Sequence, residues 1–142
     1  MTTILVLNGP NLGRLGSREP DVYGSATLDD LRTELQASAP EVTVDVRQTN
    51  DEAELIGWLY EAVDGGHDVI LNPAAFTHYS YALRDACALV TTAGLRLIEV
   101  HISNPHSREI FRHTSVISGV ATGVIAGFGF DSYRLALTQL LR

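Results

Sequence analysis

Along the chain, short apolar runs that end abruptly in polar residues alternate with longer stretches whose apolar positions recur every three or four residues. The first run, Thr3 to Leu7, has the length of a buried strand and gives way at once to Asn8-Gly9-Pro10. After a long polar loop, Thr27 is placed to cap a helix that carries Leu28, Leu31 and Leu35 on one face and is stopped by Pro40. Val42 to Val46 alternates as an exposed or edge strand. Asp51 with Glu54 signals a capping box, opening a second helix that buries Leu55, Ile56, Leu59, Ala62 and Val63 and ends at Gly65-Gly66. Val69-Ile70-Leu71 reads as a third strand, turning polar at Asn72, and a third helix is expected over about Thr77 to Val90. Leu97 to Ile102 reads as a fourth strand and Val120 to Ala126 as a fifth. Ser103 to His113 between them holds a loop and short helix in which Arg108 and Arg112 can share a face. Asp131 is placed to cap a last helix carrying Tyr133, Ala136, Leu137, Leu140 and Leu141.

Strands alternating with helices predict one domain over residues 1–142, a five-stranded parallel sheet with helices on both faces and right-handed crossovers. At this size the expected strand order is 2-1-3-4-5, the flavodoxin-like three-layer sandwich. Ligands of such sheets bind beyond the carboxyl ends of the strands, where the order reverses. That rule brings together Asn8 and the Asn11 loop after strand one, Asn72 after strand three, and His101, Ile102 and Ser103 after strand four.

Two groups in this neighbourhood suit proton transfer. Glu99 and His101 lie two apart on a strand, hence on one face, where the carboxylate orients the imidazole and favours its protonated form. His101 is then a candidate general acid, against the plainer reading of a satisfied core histidine. The loop from Leu7 to Gly24 is long for a connector and carries Asn11, Arg14, Arg18 and Tyr23, so a binding loop or active-site lid is expected over about 13–24. A phenol is a poor base unless a positive charge stabilises its phenolate, which Arg18 could do for Tyr23.

Composition narrows the chemistry. The formal charge of −7 argues against nucleic acid, whose binders carry a basic face. All ten basic residues are arginine, which removes Schiff-base catalysis through a side-chain amine, a P-loop lysine and the lysine-assisted chemistry of receiver domains. No metal is expected, because His101 and His106 lack the i,i+4 spacing of a helical metal pair. A flavin or nucleotide binder would want a Ser/Thr-rich loop after strand one, where Asn8 to Gly13 offers two asparagines and a proline. The single Cys87, among Ala86, Ala88 and Leu89, suits a small buried hydrophobe in a reducing compartment. No signal peptide or membrane span is evident, so a soluble, cytoplasmic protein is expected.

The run Asn8-Gly9-Pro10-Asn11-Leu12, continued by Leu15-Gly16-Ser17-Arg18-Glu19-Pro20 and Tyr23-Gly24, closely resembles the N-terminal signature of the type II 3-dehydroquinate dehydratases. The likeness extends in the same order through Asn72-Pro73-Ala74-Ala75, Thr77-His78, Ala82 to Ala86, Glu99 to Asn104, Arg108-Glu109 and Phe111-Arg112. The resemblance implies dehydration of 3-dehydroquinate to 3-dehydroshikimate in the shikimate pathway, by trans elimination through an enolate. No Schiff base and no cofactor are implied. Carried over residue by residue, it makes Tyr23 the base, with Arg18 lowering its pKa, Asn11 a support for the enolate oxygen through a water, and His101, held by Glu99, the acid. It makes Asn72, the backbone of Ile102 and the Ser103 hydroxyl the holders of the substrate carboxylate, and gives the ring hydroxyls to His78, Asp85 and Arg112. Arg108 looks like a support for the rim. Without the resemblance, Asp85 reads as a surface carboxylate paired with Arg84. The family also implies a homo-oligomer, a dodecamer built from trimers, in which a neighbouring subunit completes the site through the Asp85 helix. Ser17 and Leu89 depart from residues common in the family, which bears on contacts between subunits.

Overall fold

The computed structural model describes residues 2–17, 21 and 25–142, so Arg18 and Tyr23 lie outside the described residues. Five strands form one parallel sheet: β1 (Thr3–Asn8), β2 (Thr43–Gln48), β3 (Asp68–Asn72), β4 (Leu97–His101) and β5 (Gly123–Ala126). Their order is β2-β1-β3-β4-β5, the order expected for a domain of this size. The four long helices are α1 (Leu28–Ser38), α2 (Glu52–Gly65), α3 (Tyr81–Thr92) and α4 (Asp131–Leu140).

The period-two alternation of the strands sorts their side chains into two cores. Ile4 and Val6 of β1, Val44 and Val46 of β2, Ile70 of β3 and Ile98 and Val100 of β4 pack against Leu31 and Leu35 of α1 and Tyr133, Ala136, Leu137 and Leu140 of α4. Leu5 and Leu7, Val69 and Leu71, and Leu97 face the other way, onto Leu55, Leu59 and Ala62 of α2 and Leu83, Ala86, Cys87 and Val90 of α3. Cys87 is fully buried and free, as expected of a small core residue.

Local chemistry sets most of the boundaries, and three of them, with the details of one cap, differ from the sequence expectation. At α1, Thr27 accepts from the Asp30 N–H while the Asp30 carboxylate accepts from the Thr27 N–H, a reciprocal cap that fixes the start. At α2, Asp51 caps alone, through the Ala53 N–H, and Glu54 does not return the bond. The third helix begins at Tyr81, not Thr77, because the Ser80 hydroxyl accepts from the Leu83 N–H and defines the cap there. His78 therefore sits on a separate 3₁₀ turn, Ala74–His78, and not on the helical face that carries Asp85. The fifth strand is shorter than its apolar run, since Ser118–Val120 forms a 3₁₀ turn ahead of Gly123. Asp131 does not cap α4; it is the first helical residue, bonded to Arg134, while Phe130 occupies the cap position.

At the carboxyl edge the ends of β1 and β3 meet in register, Asn8 opposite Asn72, and the Gly9 N–H donates to the Asn72 carbonyl at 2.9 Å. Gly9 is required by this closeness: a Cβ there would lie 2.7 Å from the Pro73 carbonyl oxygen.

Candidate active site

A small cleft, open to solvent, lies over the carboxyl ends of β1, β3 and β4. Asn72, His78, His101, Ile102, Ser103 and Arg112 all line it, together with Leu12, Ala74, Ala75, Pro105 and Arg108. Six of the eleven candidate catalytic and binding residues thus line one cleft.

His101, on the cleft lining, is backed by Glu99. Its Nε2 lies 2.5 Å from Glu99 Oε2, and both side chains are buried, Glu99 to 1 % exposure and His101 to 8 %. The carboxylate is held by two further donors: the Ser118 hydroxyl reaches Oε1 at 2.7 Å, and the Ser115 hydroxyl lies 3.1 and 3.2 Å from the two oxygens. Burial alone would push the Glu99 carboxyl up, but the bonds from His101, Ser118 and Ser115 together with the His101 charge outweigh it and hold the group below its ordinary 4.5. An ionised carboxylate only accepts, so His101 donates to it through Nε2. Among the described residues Nδ1 has no hydrogen-bond partner and is the atom left for a ligand. A second cleft, lined by Glu99, His106, His113, Ser115 and Ser118, shares His78, His101 and Arg112 with the first.

Asn72 is 3 % exposed and doubly tied: its Oδ1 accepts from the Ala74 N–H at 3.1 Å and its Nδ2 donates to the Tyr133 hydroxyl at 2.9 Å. Ala74 adopts φ 52°, a left-handed conformation that costs a non-glycine residue strain and that the Asn72 side chain helps to hold. Ser103 accepts from Arg108 Nη1 at 3.2 Å. Ile102 is buried and its carbonyl accepts from the Gly129 N–H.

On the far side, His78 donates through Nδ1 to the Thr114 carbonyl at 2.8 Å, which leaves Nε2 as an acceptor. Burial lowers its pKa below 6.5, the Thr114 bond opposes this, and the positive charges of His101 and Arg112 add to the lowering. The Arg112 guanidinium is held by Glu109 at 3.1 Å and lies over the Phe111 ring, 4.6 Å from its centre.

Asn11 is not among the residues that line the cleft; it is exposed after β1 in a left-handed conformation, φ 69°, its N–H bound to Asn50 Oδ1 at 2.9 Å. Asp85 does not join the cleft. It lies on the exposed face of α3, its side chain 73 % accessible and paired with Arg84 at 2.9 Å, which is the arrangement residue type alone suggests. Arg18 and Tyr23 fall outside the described residues. Ser115, Ser118 and Tyr133 are polar groups of the site that the sequence pattern does not announce. Tyr133 reads in the sequence as one more apolar position of the last helix, and the two serines follow Glu99 by 16 and 19 residues with no spacing to announce them.

The fold and site define a flavodoxin-like α/β domain with a buried carboxylate–imidazole pair in a polar cleft at the carboxyl edge of its sheet. The family model described as "Dehydroquinase class II" matches residues 2–141, and the chain belongs to that family. It is 59% identical over 139 residues to a 3-dehydroquinate dehydratase of Salinispora arenicola, covering 96% of this chain and 95% of the relative. It is 53% identical over 143 residues to one of Halalkalibacterium halodurans, covering 99% and 97%. Among solved structures, a type II dehydroquinase from Propionibacterium acnes superposes with a TM-score of 0.93 at 49% identity, over 99% of this chain and 96% of that one.

Proposed function

We propose that the chain dehydrates 3-dehydroquinate to 3-dehydroshikimate in the shikimate pathway, by trans elimination of water through an enolate and without a Schiff base. Its family membership and its relatives' names support the overall reaction. The observation that carries the chemistry is the buried Glu99–His101 pair at 2.5 Å, which gives the cleft a proton donor held in one orientation.

In this reading Tyr23, as phenolate, takes the proton beside the ketone, and the C–H electron pair moves into the enolate. Arg18 lowers the phenol's pKa and steadies the anion, while Asn11 supports the enolate oxygen through a water. Collapse of the enolate restores the ketone and expels the hydroxyl, which leaves as water with the proton donated by His101. Glu99 offsets the charge on the imidazole before the transfer. Asn72, the backbone of Ile102 and the Ser103 hydroxyl hold the substrate carboxylate, beside the Arg108 guanidinium that bonds Ser103. His78 and Arg112 take ring hydroxyls, the first through its free Nε2 and the second through its guanidinium, with Asp85 supplied by a neighbouring subunit. The absence of lysine from the sequence suits a route with no imine, and the reading calls for no cofactor.

The domain works as a single catalytic unit whose loop at about 13–24 closes over substrate. We place it in the cytoplasm, as a dodecamer built from trimers. Exposed apolar side chains on β5 (Val124), on the turn after it (Phe128), on α4 (Leu135) and on α3 (Tyr81 and Leu89) suit burial between copies. The test is direct: incubation with 3-dehydroquinate should yield the conjugated enone product, followed by its ultraviolet absorbance. Borohydride added with substrate should leave the enzyme active. No enone, or covalent trapping by borohydride, would contradict the reading.

A further inference from the structure

The side-chain amide of Asn72 belongs to a chain of hydrogen bonds whose direction is fixed at both ends. At one end the Ala74 N–H can only donate, so Asn72 must present Oδ1 to it, at 3.1 Å, and Nδ2 to the Tyr133 hydroxyl, at 2.9 Å. At the other end the Arg47 carbonyl can only accept, so Asn8 must turn Nδ2 to it, at 3.0 Å, and Oδ1 to Tyr133. The phenol therefore accepts from Asn72 and gives its own proton to Asn8 Oδ1, at 2.6 Å. Neither amide can flip without breaking two bonds. Tyr133 and Asn8 are wholly buried, so water offers no replacement partner.

One N–H of Asn72 is left over, and Asn72 lies on the cleft wall. A side chain whose oxygen is committed and whose spare group is an N–H recognises an acceptor and cannot offer one. We propose that Tyr133, on the last helix and outside the cleft lining, is a positioning residue that makes Asn72 a one-way donor toward an anionic oxygen of the ligand. This rests on the proposed reaction, in which that oxygen belongs to the substrate carboxylate.

The test is a double-mutant cycle with 3-dehydroquinate. Tyr133→Phe keeps the ring and removes the hydroxyl; KM should rise about tenfold with kcat within about twofold, the effect of one misdirected hydrogen bond. A merely structural loss would lower the amount of active protein and leave KM in place. Asn72→Ala should raise KM at least as far, and adding Tyr133→Phe to it should raise KM no further. A KM within twofold of the unsubstituted enzyme for Tyr133→Phe, or its full effect persisting in the Asn72→Ala background, would overturn the proposal. Should Tyr133→Phe not fold, the unsubstituted protein with ¹⁵N-labelled asparagine decides. One Asn72 amide proton should exchange slowly and the other should shift on adding 3-dehydroshikimate; two fast-exchanging protons, or no shift at saturation, would overturn it. Absence of turnover by the unsubstituted protein would instead refute the reaction, and the slow Asn72 proton would still decide whether Tyr133 holds the amide.

Discussion

Glu99→Gln isolates the charge of the buried pair, because it preserves shape and the bonding pattern dictates how the amide must sit. The Ser115 hydroxyl already accepts the Ile117 and Ser118 N–H groups, at 3.1 and 3.0 Å, so its proton must still go to residue 99. His101 donates to the same side, at Oε2, while Ser118 approaches Oε1 alone but for the shared Ser115 proton. The amide oxygen therefore takes the Oε2 position, and only the Ser118 hydroxyl turns round, to accept from the new NH₂. The His101 and Ser115 donors keep an acceptor while the Ser118 hydroxyl gives up its own, so the loss is that of converting charge-assisted bonds to neutral ones plus one displaced hydroxyl proton, about 1–3 kcal/mol of stability. Catalysis should suffer more: with no anion to offset the protonated imidazole, kcat should fall by about 10²–10⁴, the usual worth of a general acid, with KM little changed.

The pH dependence has a definite sign. The Glu99 carboxyl titrates below its ordinary 4.5 in the fold, so its anion contributes stability that is complete above 4.5 and is lost as pH falls through the folded-state value. Glutamine has no such dependence. The stability gap between the two proteins, measured by urea unfolding, should close as pH falls below 4.5. A variant kcat within threefold of the unsubstituted value at neutral pH, or a gap that persists unchanged into strong acid, would refute this account of the pair.

Other expectations follow from single contacts. Tyr23→Phe should abolish turnover while leaving 3-dehydroshikimate binding intact by calorimetry; near-normal turnover would remove Tyr23 from the base role. Gly9→Ala places a Cβ 2.7 Å from the Pro73 carbonyl oxygen and 3.0 Å from its carbon, both backbone, so urea unfolding should show a loss of about 1–3 kcal/mol. Burial pushes the Cys87 thiol up to about 12, aided by the Glu99 charge, so a disulfide-exchange reagent near neutral pH should titrate it only after unfolding. Light scattering should return a mass of about twelve chains of 15.4 kDa; a monomer would refute the assembly and leave Asp85 without a neighbouring site to serve.

What was legible in the sequence and what was not have different physical origins. The parallel sheet followed from alternation, because burial on two faces forces apolar runs of strand length between amphipathic helices, and the shared end of β1, β3 and β4 from the strand order usual at this size. The Glu99–His101 contact followed from the two-residue period of a strand, since ionisable groups rarely interrupt an apolar run without reason. Helix starts were less legible. Ser80 overrode the apparent start at Thr77, and Asp131 was displaced by Phe130, because a cap depends on the backbone angles of a single residue rather than on a pattern. Ser115, Ser118 and Tyr133 were hidden because their role lies in partners met only through tertiary folding, 16, 19 and 61 residues away.

The alternation of side chains across the sheet has a bearing on how damage should distribute. Glu99 and His101 stand in register with Leu97, toward the layer of α2 and α3, whereas Asn8 and Asn72 are braced by Tyr133 from the layer of α4. In the proposed mechanism the proton donor and the Asn72 anchor are thus moored to opposite faces of one sheet. Cavities carved beneath α4 should slacken grip on the substrate before they slow the chemistry, and cavities beneath α3 should do the reverse, so a scan of core truncations would separate into two kinetic families by layer.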